Sequence, residues 1–385
     1  MTAAKQAETE NFSFASSVKA DIWHPRAETN AYEWWYFDAL SDDGKDAIVV
    51  IFLDNFIFSP GYNRLVQSSK FKVQSSKSKS QNAGDNQFEI QNPKSQIERF
   101  PAVVFIYYHN GKPLYRAINE FPAEAFSASE ELPACRMGEN SFAFESAPYG
   151  SGYSLSIKMM LRWNRLLEAK LEWLSIESDF LPNKDFGNLQ NAHNWNLVAA
   201  RSDVTGSVKV TDAKGKTIDT RHFRGTGYHD HNLDARWLPA CVKDWQWGRA
   251  HFADATAVFY RYRELEAENA PVTKLFLIKN NELKSFDALY EERKMRRSLY
   301  GLKFPKEIAF STAEGVRLSI KQIKPVDESF FYLRFLSEAK LASPDSDIRR
   351  AFAITEHLVP RALKYRWLDW LVKMRIGRKG KGSFL

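Results

Sequence analysis

The chain has 385 residues, 44% apolar and 26% charged, the balance of an ordinary globular protein rather than a disordered or fibrous one. Its 11 Trp and 28 Phe lift the aromatic share to 14%, which calls for aromatic-rich cores or an interior that receives a large apolar ligand. The formal charge of +7 is misleading as an average: eight basic residues against Asp369 alone follow residue 357, so the body is neutral and offers no basic face to nucleic acid.

The polar leader, residues 1–20, lacks the apolar stretch of a signal peptide. The longest apolar runs, Ala47–Leu53 and Ala102–Tyr108, are strand-sized and far short of a bilayer. Cys135 and Cys241, distant in sequence and without an export signal, are expected as free thiols of a cytoplasmic protein.

Tyr32–Leu40 alternates as a strand should, with Glu33, Trp35 and Phe37 on one face and Trp34, Tyr36 and Asp38 on the other. SDDGK turns the chain into a second strand, Asp46–Phe58. Residues 66–95, rich in Ser, Lys, Gln and Asn, predict a long mobile loop. Short strands resume at Ala102–Tyr108 and continue to Ala192–Ala200. The second half repeats the pattern from Val204 to Leu336, with Lys216–Arg224 and Gly227–Asn232 separated by a GTG turn. Neither a βαβ rhythm nor GxGxxG after a strand occurs, which excludes a dinucleotide-binding domain. Roughly 16 to 20 strands exceed the eight or so of one ligand-holding barrel. Two tandem antiparallel barrels, 21–200 and 201–350, fit that number.

Residues 351–385 differ. Val359, Leu363, Trp367, Trp370, Leu371 and Met374 recur at helical spacing, and Arg361, Lys364, Arg366, Lys373 and Arg375 fill most of the rest. This predicts a basic amphipathic helix. It either docks on the barrels or lays residues 358–385 on an anionic membrane surface, at the inner face of the membrane.

The chemistry concentrates in Gly225–Trp237, GTGYHDHNLDARW. On a strand, Tyr228, Asp230 and Asn232 share one face and His229 and His231 the other; the same rule groups His193 with Trp195 in NAHNWN. A carboxylic acid in an apolar cavity stays protonated near neutral pH and can act as a general acid, while aromatic faces stabilise a cation. The group suits protonation of an electron-rich double bond. A buried hydrogen-bonded corner would use the same residues. A metal centre on His229 and His231 would need His222 or His251 as a third ligand, with no Cys pair or HExxH beside them, so none is expected. Trp35, His231, Trp237, Trp247 and Tyr260 are candidates for lining the substrate pocket.

EWWYFDA at Glu33–Ala39 and GTGYHDHN at Gly225–Asn232 resemble the two signatures of the carotenoid 1,2-hydratase (hydroxyneurosporene synthase) family, a likeness running from about Ile22 to about Ser337. The resemblance implies an all-β fold of two tandem lipocalin-like barrels. It implies a hydro-lyase that adds water to the terminal isoprenoid double bond of an acyclic carotenoid without a cofactor. The matching catalytic positions are His193, Trp195, Tyr228 and Asp230, with Asp230 as proton donor, Tyr228 and His193 positioning it or the water, and Trp195 shielding the cation. This chain departs from the signature at Leu233-Asp234, where the hydratases continue with Trp-Gly. The fold also includes Diels–Alderase-like cyclases, so a cyclase acting on a hydrophobic polyene and a non-enzymatic lipid or pigment carrier are the alternative readings.

Overall fold

A computed structural model describes residues 11–68, 98–148, 150–181, 186, 192–266, 270–344, 346–378 and 382–383. Most of the 66–95 stretch lies outside them. The strands form two large, almost wholly antiparallel sheets. The first runs, by neighbours, from Lys112–Glu120 through Ala102–His109, Asp46–Leu53, Tyr32–Ser41, Thr217–Asp234, His193–Thr211, Arg165–Ser178 and Gly150–Leu161 to Asn140–Ala147 and two short edge strands. The second orders Glu282–Asp287, Val272–Lys279, Thr256–Glu264, Val242–His251, Ser346–Leu358, Tyr332–Ser343, Arg317–Glu328, Lys303–Ser311 and Leu289–Arg297.

Each sheet curls around its own core. Trp35, Phe37, Phe105, Tyr153, Leu171 and Trp173 share the first, and Phe259, Leu275, Phe310, Leu318 and Leu341 share the second. A third and larger cluster lies between the sheets and joins Trp34, Tyr36, Trp195 and Tyr228 to Trp247, Tyr260 and Phe276. This explains why Tyr32–Ser41 is bulky on both faces: Trp35 and Phe37 fill a barrel, while Trp34 and Tyr36 fill the space between barrels. The architecture is thus the expected pair of lipocalin-like barrels.

The expected division at residue 200 falls inside the His193–Thr211 strand. The first sheet extends to Asp234, the second begins at Val242, and the short helix Leu238–Cys241 connects them. The GTG stretch also differs from the turn expected there. Gly225 and Gly227 sit mid-strand, not in a turn. A Cβ at Gly225 would meet the Leu40 carbonyl oxygen at 2.1 Å, and one at Gly227 would meet Trp173 Nε1 at 2.4 Å. These glycines permit close approach between packed elements. One continuous strand, Thr217–Asp234, therefore pairs with both Tyr32–Ser41 and His193–Thr211.

The strand expected over Asp46–Phe58 ends at Leu53. There Asp54 turns its carboxylate onto the Glu33 backbone N–H at 2.7 Å and the Arg99 guanidinium at 2.6 Å, and Asn55 accepts from the Phe100 N–H at 2.9 Å. A helix over residues 60–68 follows.

The C-terminal helix is also not continuous. Residues 351–358 complete the Ser346–Leu358 strand. Beyond them come 3-10 turns at Pro360–Lys364 and Arg366–Leu368 and one helical turn at Asp369–Lys373. Pro360 starts the first turn, where its missing N–H costs nothing, and the extended backbone of Tyr365 interrupts the register that an amphipathic helix would need. Leu363, Leu368, Val372 and Ile376 bury themselves in the inter-sheet core, while Trp367 and Trp370 remain 72% and 55% exposed. Among the described residues no helix is long and apolar enough to cross a membrane.

Candidate active site

A cavity of about 1440 Å³, counted out to its open mouth, lies between the two sheets. Trp34 and Tyr36 face it from the first sheet, Trp245 and Trp247 from the second, and Val372 and Ile376 of the C-terminal segment line it as well. The surface is overwhelmingly apolar and aromatic, which favours a hydrophobic ligand. Asp230 and Asn232 enter it from the centre of the first sheet.

Strand pairing sets this up. Tyr228, Asp230 and Asn232 lie opposite Asp38, Tyr36 and Trp34 in the antiparallel register. Asp230 Oδ2 accepts from the Trp195 indole N–H at 3.0 Å and the Tyr228 hydroxyl at 2.8 Å; Oδ1 accepts from the Asn232 amide at 2.9 Å. The Trp247 indole N–H donates to the Tyr228 oxygen at 3.2 Å. All three donors to Asp230 are neutral, and no cation pairs with it among the described residues. Burial therefore dominates and pushes its carboxyl up to about 7, with the Glu356 and Asp38 charges adding to the rise and the Trp195 and Tyr228 hydrogen bonds opposing it.

The other sequence candidates divide by position. Trp195 is wholly buried and holds Asp230 by its N–H; its ring stacks on Tyr260 at 4.5 Å. His193 is also wholly buried. It shares a short hydrogen bond with the Tyr260 hydroxyl and stacks on Tyr262. Burial, with Arg236 adding, drives its imidazole down to about 3, so it is neutral. Asn232, whose amide donates to Asp230, lies beside His193, and the His193 Nδ1 has no hydrogen-bond partner among the described residues. Of the five pocket candidates, Trp247 lines the cavity. Tyr260 is buried behind Trp195, and the Trp237 indole is turned onto Asn63 Oδ1 at 2.7 Å.

Trp35 and His231 face the other way, into the first barrel, where Trp35 stacks on His231 at 4.8 Å. A buried ionic network occupies that side. Asp21 meets His229 Nε2 at 2.9 Å and His231 Nδ1 at 3.0 Å, and Glu33 meets His231 Nε2 at 2.7 Å and His24 Nδ1 at 2.9 Å. Burial works against the His231 charge, but its two carboxylate partners outweigh it and raise the imidazole to about 9. Asp21, despite burial, is pulled down to about 2 by His229 and His231. The two histidines thus fix the strand from behind: His229 bonds Asp21 through Nε2 and the Tyr36 carbonyl through Nδ1 at 3.0 Å, and His231 bonds Glu33 through Nε2. His251, one of the two possible third ligands in the metal alternative, is on the second sheet with Nε2 against the Ala200 carbonyl.

Sequence reading missed the cavity's second charged wall. Arg334 donates to Asp38 Oδ2 at 2.8 Å and to Glu356 Oε1, and Arg249 donates to Asp38 Oδ1 at 2.7 Å. The Tyr36 hydroxyl donates to Asp38 and reaches Glu356 Oε1 at 3.1 Å. Tyr36, Arg334 and Glu356 line the cavity. The face-sharing of Trp34, Tyr36 and Asp38 carried part of this signal. Glu356 was hidden because residues from 351 onward read as helix.

Residues 182–384 match the family model described as carotenoid hydratase CrtC. The chain belongs to the carotenoid hydratase CrtC family. Among relatives of this carotenoid hydratase family member, the protein named hydroxyneurosporene dehydrogenase from Chlorobaculum tepidum is 26% identical over 372 residues, covering 94% of this chain and 91% of that protein. Two solved structures share its fold. An AttH protein from Nitrosomonas europaea aligns with a TM-score of 0.55 at 12% identity, over 89% of this chain and 96% of that one. CghA aligns with 0.54 at 12% identity, over 92% and 96%. Family membership supports a hydratase-type enzyme with a hydrophobic small-molecule substrate.

Proposed function

We propose that this protein is a cofactor-independent hydratase that protonates a terminal isoprenoid double bond of a carotenoid-like polyene and lets water capture the cation. The observation that carries the reading is the setting of Asp230: a carboxyl group on the wall of an aromatic cavity, held by three neutral donors and free of any cation among the described residues. A carboxylic acid so placed keeps its proton near neutral pH and can give it to an alkene carbon. Trp34, Tyr36, Trp245 and Trp247 surround the same space, and their faces stabilise the tertiary carbocation by the attraction of a cation to an aromatic quadrupole. Tyr228 and Trp195 fix the orientation of the acid. His193 supports them through Tyr260, which stacks on Trp195, as a neutral group and not as a proton donor. Asp230→Asn tests the assignment: hydration falls by about 10²–10⁴-fold, the usual worth of a general acid. An Asp230→Asn protein that hydrates at the normal rate refutes it.

Substrate entry has its own observation. The C-terminal segment lines the cavity with Leu371, Val372 and Ile376 while holding Trp367 and Trp370 outward beside Arg361, Lys364 and Arg366. We infer that this outer face meets an anionic membrane surface, from which the polyene reaches the cavity. Because the inner face of the segment is core, deletion would damage the fold, and the paired substitution Trp367→Ala, Trp370→Ala is the cleaner test. Co-sedimentation with phosphatidylglycerol vesicles should weaken; unchanged binding removes this part of the proposal.

A further inference from the structure

Hydration needs a base as well as an acid, because the attacking water must lose a proton. The cavity holds two further carboxyl groups besides Asp230, those of Glu356 and Asp327. Asp327 is engaged by Arg116 at 2.8 Å and by Tyr108. The carboxylates whose charge reaches Asp230 are those of Glu356 and Asp38. Asp38 has no exposed surface and is enclosed by Arg249, Arg334 and Tyr36. Glu356 is different: it lines the cavity, and its side chain keeps 18% of its surface open.

Glu356 comes from the second sheet and Asp230 from the first, so they stand on different walls. Trp247 is the cross-strand neighbour of Glu356, and its indole N–H donates to Tyr228, which donates to Asp230. On the other side, Tyr36 reaches Glu356 and is the cross-strand neighbour of Asp230. One layer of hydrogen-bonding aromatic side chains therefore separates the two carboxyl groups. Their partners differ. Asp230 has neutral donors only, whereas Glu356 has the Arg334 guanidinium against Oε1. Two carboxyl groups with different partners on facing walls can divide the roles of acid and base.

We propose that Glu356 is the catalytic base, taking a proton from the water that attacks the cation generated by Asp230. The inference rests on the hydratase reading above. In the first step the π pair of the alkene takes the Asp230 proton, forming a C–H bond at the less substituted carbon and leaving the tertiary carbon cationic. In the second, a water lone pair forms the C–O bond while Glu356 accepts one water proton. The product is a tertiary alcohol. The protein is left with one proton moved from Asp230 to Glu356, which solvent at the open mouth reverses. Burial pushes the Glu356 carboxyl upward, which strengthens it as a base, and the Arg334 guanidinium opposes that rise and favours the carboxylate.

Deuterium separates the two roles. With lycopene in detergent micelles in deuterium oxide, the wild type yields deuterated alcohol. Glu356→Gln keeps the size and the Tyr36 contact but cannot take a proton. The cation then collapses back to the alkene by giving a hydron to the Asp230 carboxylate. The newly protonated carbon carries one H and one D, and loss of the protium leaves deuterium in the recovered lycopene while alcohol formation falls by about 10²–10⁴-fold. Glu356→Asp, which withdraws the carboxylate by one methylene, gives the same pattern less severely and serves if the Gln variant does not fold. A folded Glu356→Gln protein that hydrates normally, or that loses alcohol and exchange together, overturns the proposal. Asp230→Asn reports separately: it should lose both exchange and alcohol, and exchange that persists there refutes the acid assignment rather than the base.

Discussion

The Trp195 indole N–H lies 3.0 Å from Asp230 Oδ2, donated from the neighbouring strand of the same sheet. The contact fixes the carboxyl group without a charge beside it. A Lys or Arg in that place would hold Asp230 as a carboxylate and remove the proton that the proposed chemistry uses. The Tyr228 hydroxyl adds a second neutral donor to the same oxygen at 2.8 Å.

The acid makes activity pH-dependent. With the Asp230 carboxyl raised to about 7 by burial, the proton-bearing form is lost above that pH, and kcat/KM should fall about tenfold per pH unit on the alkaline side. In Tyr228→Phe one donor that lowers the Asp230 pKa disappears. The alkaline limb should move upward, while the rate at pH 7 drops by no more than about tenfold, the worth of one hydrogen bond. A limb that stays put or moves downward in the pH–rate profile contradicts the role of Tyr228.

Asp230 also costs stability. Its carboxyl is raised in the folded protein from 3.8 to about 7, so the native state retains a proton that the unfolded chain has lost, and stability falls as pH rises through that interval. Asp230→Asn removes the cost. Thermal unfolding should show a higher Tm than wild type at pH 8, by the equivalent of a few kcal/mol at most, and little or no gain at pH 4. An Asp230→Asn protein less stable than wild type at pH 8 counts against a strained, protonated acid.

The network behind the strand has the opposite sign. His231 is raised to about 9 in the folded state, from 6.5. Its contribution is complete below about 6.5 and disappears as pH rises through 9. Asp21 is lowered to about 2 from 3.8, so its contribution holds above 3.8 and is lost as pH falls toward 2. His231→Phe strands Asp21 and Glu33 without their imidazolium, which typically costs about 3–5 kcal/mol. Urea unfolding at pH 7 checks this; a loss below about 1 kcal/mol would show the network to be dispensable.

Much of the site was legible from strand alternation, because the period of two is a steric property of the extended chain. It separated Tyr228, Asp230 and Asn232 from His229 and His231. The structure turns the first set to the inter-sheet side, where Asp230 and Asn232 line the cavity and Tyr228 joins the core, and the second onto Phe37 and Trp35 of the first barrel. What alternation cannot supply is which sheet lies across the gap. Glu356 and Arg334 reach the site only because Ser346–Leu358 pairs with Val242–His251, a contact more than a hundred residues apart in sequence. The GTG stretch has a similar origin: glycine marks close packing as well as turns, and the packing partners, Leu40 and Trp173, are distant in sequence. The tail failed for a local reason. Of the residues that gave it helical spacing, Leu363 is buried while Trp367 and Trp370 stay exposed; the chain buries Leu368, Val372 and Ile376 instead, and the extended backbone at Tyr365 and docking on the core break it into single turns.

The central claim is water addition driven by Asp230. Its most direct test is mass spectrometry of the product formed from lycopene in ¹⁸O-labelled water by wild type and by Asp230→Asn. The account predicts one labelled oxygen in a tertiary alcohol from the wild type and no alcohol from the variant. An unlabelled isomer of lycopene would make the protein a cyclase, and lycopene recovered unchanged would make it a carrier; either contradicts the account.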